Sequence, residues 1–396
     1  MLTLHGPSGA RRGTALENLA LVQDGSVLIK DGLIAAVGST RRLENLKEAR
    51  EALDIDIHGS VVLPGFVDPG LRVTFKSLNP PDRNSAPERP RRVGQLYDDT
   101  LNLLRSCMQH GTLIAEVKGS AGFPEFRSDL SVLRRLGKIG NNPVEMLRTW
   151  QVAKLPRTHE EFEEFQTVLD RATARDLIHF IEITASEDDC PDSQLLESIA
   201  AAKVRIKLCW NGGSAEALRS TLQQCRPVSV TCVNDIPAEH AAVLGESSAI
   251  AIFSPGRQLE WAVGPGLGRV IEAGGAIALA SGYDAAESPA FSMQMAVSLA
   301  VIRERLPLEA ALVASTINAA HAVGCGGFSG TLEVGKRADI LVLSVPDYRE
   351  IPRQFGINHV GMVLRDGAVV LNRSRWKIGA HEPLTGRVRA QHIGGA

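Results

Sequence analysis

Short apolar runs alternate with longer amphipathic stretches through the middle of the chain. The runs are Val61 to Val67, Thr112 to Val117, Val144 to Val152, Ile178 to Thr184, Val204 to Leu208, Val228 to Thr231, Ile250 to Phe253 and Ala276 to Ala280. Helical periodicity fills the gaps, near 95–110, 126–138, 158–175, 191–202, 214–225, 237–245, 266–274 and 289–305, with one more stretch near 307–323. Strands this short and this uniformly apolar are those that helices cover on both faces of a parallel sheet. Eight βα units spread over about 260 residues suit a closed (β/α)8 TIM barrel better than an open doubly wound sheet.

The two ends of the chain follow a different pattern. Val27 to Lys30 and Leu33 to Gly38 flank Asp31-Gly32, and Val360 to Arg365 and Ala368 to Leu371 flank Asp366-Gly367. Two β runs joined by Asp-Gly predict a hairpin, because both central positions of a type I′ turn need positive φ. Residues 1–60 and 331–396 are therefore expected to meet as one small β-sandwich beside a barrel of residues 61–330. The stretch Leu78 to Arg92, rich in proline and charge, reads as an irregular loop after the first barrel strand.

Composition narrows the function classes. The 396 residues carry 43 Lys and Arg against 45 Asp and Glu, a net charge of -2, which argues against a nucleic-acid or polybasic membrane partner. With 44% hydrophobic and 22% charged residues the chain is an ordinary globular one. No apolar window approaches the ~18 residues of a membrane span, and the first residues lack a signal-peptide core, so a cytoplasmic protein is expected. Cys107, Cys190, Cys209, Cys225, Cys232 and Cys325 are scattered without a CxxC pair and read as reduced thiols.

In a barrel of this kind, reactive groups stand at the C-terminal ends of the strands. The segments LPGFVDP, EVKGSAGF, ALASGYDAAESPAFSMQMAVSLA, ASTINAAHAVG and SGTLEVGKRADILVL together resemble the amidohydrolase superfamily, and most closely its imidazolonepropionase branch. The resemblance runs in order over nearly the whole chain. It implies a metal-dependent hydrolase barrel with a sandwich built from both termini, a homodimer, and zinc or iron held by a His-x-His on strand one, a His after strand five, usually another after strand six, and an Asp after strand eight.

Carried over position by position, those ligands fall on Gly70, Arg72, Cys209, Cys232 and Gly282, and the catalytic Glu of the loop after strand five falls on Gly212. A further substrate-contacting His falls on Lys154. A catalytic zinc or iron needs about three His, carboxylate or thiolate ligands, and neither Gly nor an always-protonated Arg is one. No His-x-His or HExxH stands elsewhere in the chain. No metal and no cofactor is therefore expected, and the catalytic residues are left unassigned.

Cys209 and Cys232 are either a soft two-thiolate or redox pair, or small buried thiols filling the space of two imidazoles. Arg72 and Lys154 are either a clamp for a small anionic ligand at the barrel mouth, or cations neutralised by Asp68, Glu116 or Glu182. Trp210, like Trp150 and Trp261, either lines a pocket or packs in the core. Gly264-Pro265-Gly266-Leu267-Gly268 is only superficially a phosphate loop. Three functions stay open: a degenerate binding or assembly protein that has lost metal-dependent C–N hydrolysis, a divergent metal-independent enzyme using Arg72 and Lys154 on an anionic substrate, and a cyclic-amide hydrolase with other ligands.

Overall fold

A computed structural model describes residues 1–73, 93–120, 126–140, 143–232, 235–257, 266–284, 288, 290–379 and 387–391. The loop expected over Leu78 to Arg92, together with Trp261, Gly264 and Pro265, lies outside the described residues.

The N-terminal strands are β1 (Gly25–Lys30), β2 (Leu33–Ser39), β3 (Leu53–Asp56) and β4 (Val62–Pro64). The central strands are β5 (Phe66–Val73), β6 (Thr112–Gly119), β7 (Glu145–Val152), β8 (Phe180–Ala185), β9 (Arg205–Trp210), β10 (Ser229–Cys232), β11 (Ile250–Phe253) and β12 (Ala276–Leu279). The C-terminal strands are β13 (Ile340–Leu343), β14 (Val360–Arg365), β15 (Ala368–Asn372), β16 (Ile378–Gly379) and β17 (Arg387–Gln391).

Strands β5 to β12 form one eight-stranded sheet in chain order, every ladder parallel. Between the first and last of them the sheet curls shut through single contacts. The Arg72 amide donates to the Tyr283 carbonyl at 2.8 Å, and the Ser281 amide donates to Asp68 Oδ1 at 3.1 Å. The eight apolar runs thus become the eight strands of a (β/α)8 barrel.

The first run is divided differently from expectation. Val62–Pro64 pair with β13 in the terminal sheet, and the barrel strand begins only at Phe66. One continuous apolar run serves two sheets because Gly65 lets the chain pass between them: a Cβ there would meet Leu113 Cδ1 at 2.6 Å.

The helices follow from their caps. Thr158 and Glu161 form a reciprocal capping box on helix His159–Thr173, while Ser214 caps Ala215–Cys225 and Ser292 caps Met293–Ile302. The stretch expected near 307–323 breaks at Ser315 and Thr316 into two short helices, Leu308–Ala314 and Ile317–Ala322.

Both ends of the chain build the two smaller sheets, ordered β16-β3-β17-β1-β2 and β15-β14-β13-β4. Val27, Ile29, Ile55, Val62, Ile340 and Leu364 bury their side chains in one common core. Both Asp-Gly turns carry positive φ at each residue, 51° and 78° for Asp31 and Gly32 and 49° and 75° for Asp366 and Gly367, as the hairpin reading requires.

Candidate functional site in the barrel interior

Side chains alternate along a strand, so every second barrel residue points to the axis. On β6 these are Glu116 and Lys118, on β8 Glu182, on β9 Lys207 and Cys209, and on β10 Thr231; all but Thr231 are buried. Lys118 Nζ is paired with Glu182 and donates to Thr231 Oγ1 at 3.0 Å. The Thr231 hydroxyl donates in turn to Glu182 at 2.8 Å, and Gln151 Nε2 reaches the other carboxylate oxygen at 3.3 Å. Lys207 pairs with Glu116, whose second oxygen accepts from Thr149 Oγ1 at 2.6 Å. The Lys207 ammonium also lies 4.4 Å from the centre of the Phe180 ring.

This is a fully partnered polar network of two cations and two anions, the condition under which buried charges are tolerated. Its electrostatics are unequal. Burial alone would lower the Lys118 ammonium, but the carboxylates of Glu182 and Glu116 raise it above the ordinary lysine value. Burial opposes ionisation of Glu182, yet Lys118 holds its carboxyl below the usual range. For Lys207 burial prevails and lowers the ammonium.

Above this layer the strand ends carry Asp68, Arg72 and Cys209. Asp68 is fully buried; its Oδ1 accepts from the amides of Gly70 and Ser281, both at 3.1 Å, while its Oδ2 has no hydrogen-bond partner among the described residues. Burial pushes the carboxyl up to about 6 against the pull of those bonds. The Cys209 thiol is pushed up to about 11 by burial, then by Glu182, and so stays protonated at neutral pH.

The charged pair expected at the mouth is not assembled as a clamp. Arg72 Nη1 faces Asp284 Oδ2 at 3.6 Å, a partner absent from the three carboxylates considered from the sequence. Lys154 is 59% exposed and bonds Glu161 at 2.8 Å, at the N-terminus of the following helix. That bond helps hold the Glu161 carboxyl down to about 2.

Cys232 is the second correction. In the β9–β10 ladder Cys209 stands beside Thr231, and Cys232 beside Trp210. Alternation therefore sends Cys209 and Thr231 inward, while Trp210, Val230 and Cys232 turn outward to Leu218 and Leu244 of the covering helices. The two thiols point to opposite faces of the sheet, all six cysteines are free, and no thiolate pair forms. Trp150 is also core: it stacks on Phe165 at 5.0 Å and donates its indole N–H to Asp129 at 2.8 Å.

Zinc or iron does not fit this donor set. A side chain at Gly70 would place its Cβ 2.8 Å from Ala280 Cβ, and one at Gly282, where φ is 71°, would place it 2.6 Å from Ser254 Cβ. Neighbouring side chains have closed over both positions. Cys209 keeps its proton, and the ammonium of Lys118 beside it would repel a dication. Among the described residues no group of three or more His, Cys, Asp or Glu is placed to hold a metal ion. Sequence reasoning named Glu116 and Glu182 only as neutralising groups and missed Lys118 and Lys207. The signal was there, in charged residues at alternate positions of the apolar runs Ala115-Glu116-Val117-Lys118 and Ile206-Lys207-Leu208.

Comparison with known proteins agrees with this architecture. The profile of the amidohydrolase family matches residues 262–370. Imidazolonepropionase of Alkaliphilus metalliredigens (strain QYMF) is 28% identical over 417 residues, covering 95% of this chain and 97% of that protein. The chain is thus similar to the amidohydrolase superfamily, in its imidazolonepropionase-like branch. Imidazolonepropionase of Brevibacillus brevis (strain 47 / JCM 6285 / NBRC 100599) is 24% identical, covering 93% of this chain and 95% of its own length. Among solved structures, aminofutalosine deaminase of Helicobacter pylori superposes with a TM-score of 0.66 at 14% identity, over 90% of this chain and 97% of that one. An adenosine deaminase of Xanthomonas campestris with bound zinc gives 0.60 at 15%, over 88% of each chain. At such identities these two likenesses establish the barrel fold alone.

Proposed function

We propose that this protein is a metal-free member of the superfamily that has given up metal-dependent C–N hydrolysis and uses the barrel as a binding or assembly scaffold. One observation carries the reading: the paired charges Lys118–Glu182 and Lys207–Glu116 fill the barrel interior beneath the strand ends where the resemblance would converge ligands on a metal. Activation of water by a metal requires unprotonated donors around an open coordination position. Here the strand-end positions hold two closed glycines, a carboxylate-paired arginine, a protonated thiol and an outward-facing thiol. The reading extends to a cytoplasmic homodimer: the free cysteines fit a reducing compartment, and the dimer is what the family resemblance implies.

A second reading, turnover of a cyclic amide, is favoured by the name imidazolonepropionase carried by relatives that match 95% and 93% of the chain. One experiment separates the two. Protein purified without chelators is analysed for metals by mass spectrometry and assayed for ring opening of imidazolone propionate, with and without added zinc. The scaffold reading expects far less than one metal per chain and no turnover in either arm. Near-stoichiometric metal with chelator-sensitive turnover overturns it, and turnover indifferent to chelator supports the second reading.

A further inference from the structure

The residues that β9 and β10 turn away from the axis enclose a space of their own. Trp210, Val230 and Cys232 face Leu218 of helix Ala215–Cys225 and Leu244 of helix Ala238–Glu246, with Ile236 over the top. Between them lies a pocket of about 180 Å³, partly open to solvent. Six apolar walls around a space of this size offer a small molecule apolar surface to bury.

We infer that this cavity is a binding site for a small neutral, largely hydrocarbon ring compound, separate from the barrel interior and independent of whether the barrel is catalytic. Size sets the first limit, since an apolar cavity of about 150 Å³ stays dry and admits benzene. Charge sets the second. Among the described residues no lysine or arginine lines the cavity, and an acidic group, Asp235, stands at the rim, facing Arg269 at 3.9 Å. An anion would find a carboxylate and no cation, and a strongly hydrated cation would lose its water to hydrocarbon walls.

The rim is bridged by a side chain. Gly212 and Gly213 hold φ of 120° and 128°, and His240 Nε2 is tied to the Gly213 carbonyl at 2.8 Å. One side-chain bond thus joins the loop after β9 to the neighbouring helix across the entrance. The Cys232 thiol inside is held protonated by burial, so the site binds and does not react.

The test uses iodobenzene as the probe. Crystals of the full chain soaked in it are expected to show an anomalous iodine peak between β9–β10 and the two helices, and the thermal midpoint in solution is expected to rise and saturate with probe. Leu244→Phe fills the cavity and should remove both effects while melting at or above the parent; Cys232→Met fills it more gently if the first variant misfolds. No peak at this place overturns the proposal. A shift that survives in a folded filled variant also overturns it, as does a peak without any thermal shift, which means binding at crystal concentration only.

Discussion

Lys118 and Glu182 are joined inside the barrel although they stand on strands two apart, β6 and β8, with Thr231 of β10 bonded to both. Such a pair holds the barrel by mutual dependence. Each charge is tolerable only while the other is present.

Removing one member should therefore cost far more than removing both. Glu182→Leu leaves the Lys118 ammonium without its ion-pair partner and is expected to lower stability by about 3–5 kcal/mol. The double variant Lys118→Met with Glu182→Leu should cost much less than the sum of the singles. Urea unfolding of the four proteins forms a double-mutant cycle, and additive losses would contradict the coupling.

The same pair sets an acid limit. Because the folded Glu182 carboxyl is held below its ordinary value of 4.5, its contribution is complete above that pH and is lost as pH falls through the folded value. Thermal midpoints from pH 6 downward should fall more gently in the double variant than in the parent.

Asp68 has the opposite sign. Its folded carboxyl lies at about 6 against 3.8 in the unfolded chain, so it stabilises the fold below 3.8 and that contribution fades as pH rises through about 6. Asp68→Asn keeps an oxygen for the Gly70 and Ser281 amides and removes the titration. The variant should gain on the parent between pH 4 and pH 7, by up to about 3 kcal/mol. Parallel pH profiles for the two proteins would refute this account of Asp68.

Restoring ligand chemistry at the strand ends should fail for steric reasons. Gly282→Asp forces a β-carbon at a φ of 71° against Ser254 and should cost about 1–3 kcal/mol or more, without raising the zinc content of the purified protein. A variant as stable as the parent that also acquires zinc would show that the position is not sterically closed.

Chelation gives a simpler measurement. Structural metal sites contribute folding energy directly. A barrel held by ion pairs should melt at the same temperature with and without EDTA, and a drop of many degrees would reveal a site that the donor set argues against.

The barrel was legible in the sequence because burial on both faces erases polar alternation and leaves runs such as Ile250-Ala251-Ile252-Phe253 that little else explains. The hairpins were legible because Asp-Gly answers a backbone requirement. The interior was harder to read for two reasons. Facing within a strand changes with every residue, so aligning the strand-six ligand to Cys232 instead of Thr231 exchanged the inside for the outside. Partners on different strands also leave no local trace: nothing near Lys118 or Lys207 announces Glu182 or Glu116, and Arg72 finds Asp284 only when the barrel shuts. Lys154 went astray through local chemistry, since the capping residue Glu161 captures it seven positions later.

The terminal sheets have a consequence for how the protein is made. Val62–Pro64 leave the ribosome just ahead of the barrel, yet their register partner is Ile340–Val342, which appears only after the barrel has been synthesised. At typical elongation rates the early strand waits on the order of ten seconds to a minute for its neighbour. During that interval its hydrogen-bonding edge and the apolar side chains of Val62 and Leu63 are open to other nascent chains. The last stretch of translation is thus what makes the first stretch safe, and ribosome stalling late in the message would leave a folded barrel with an adhesive beginning.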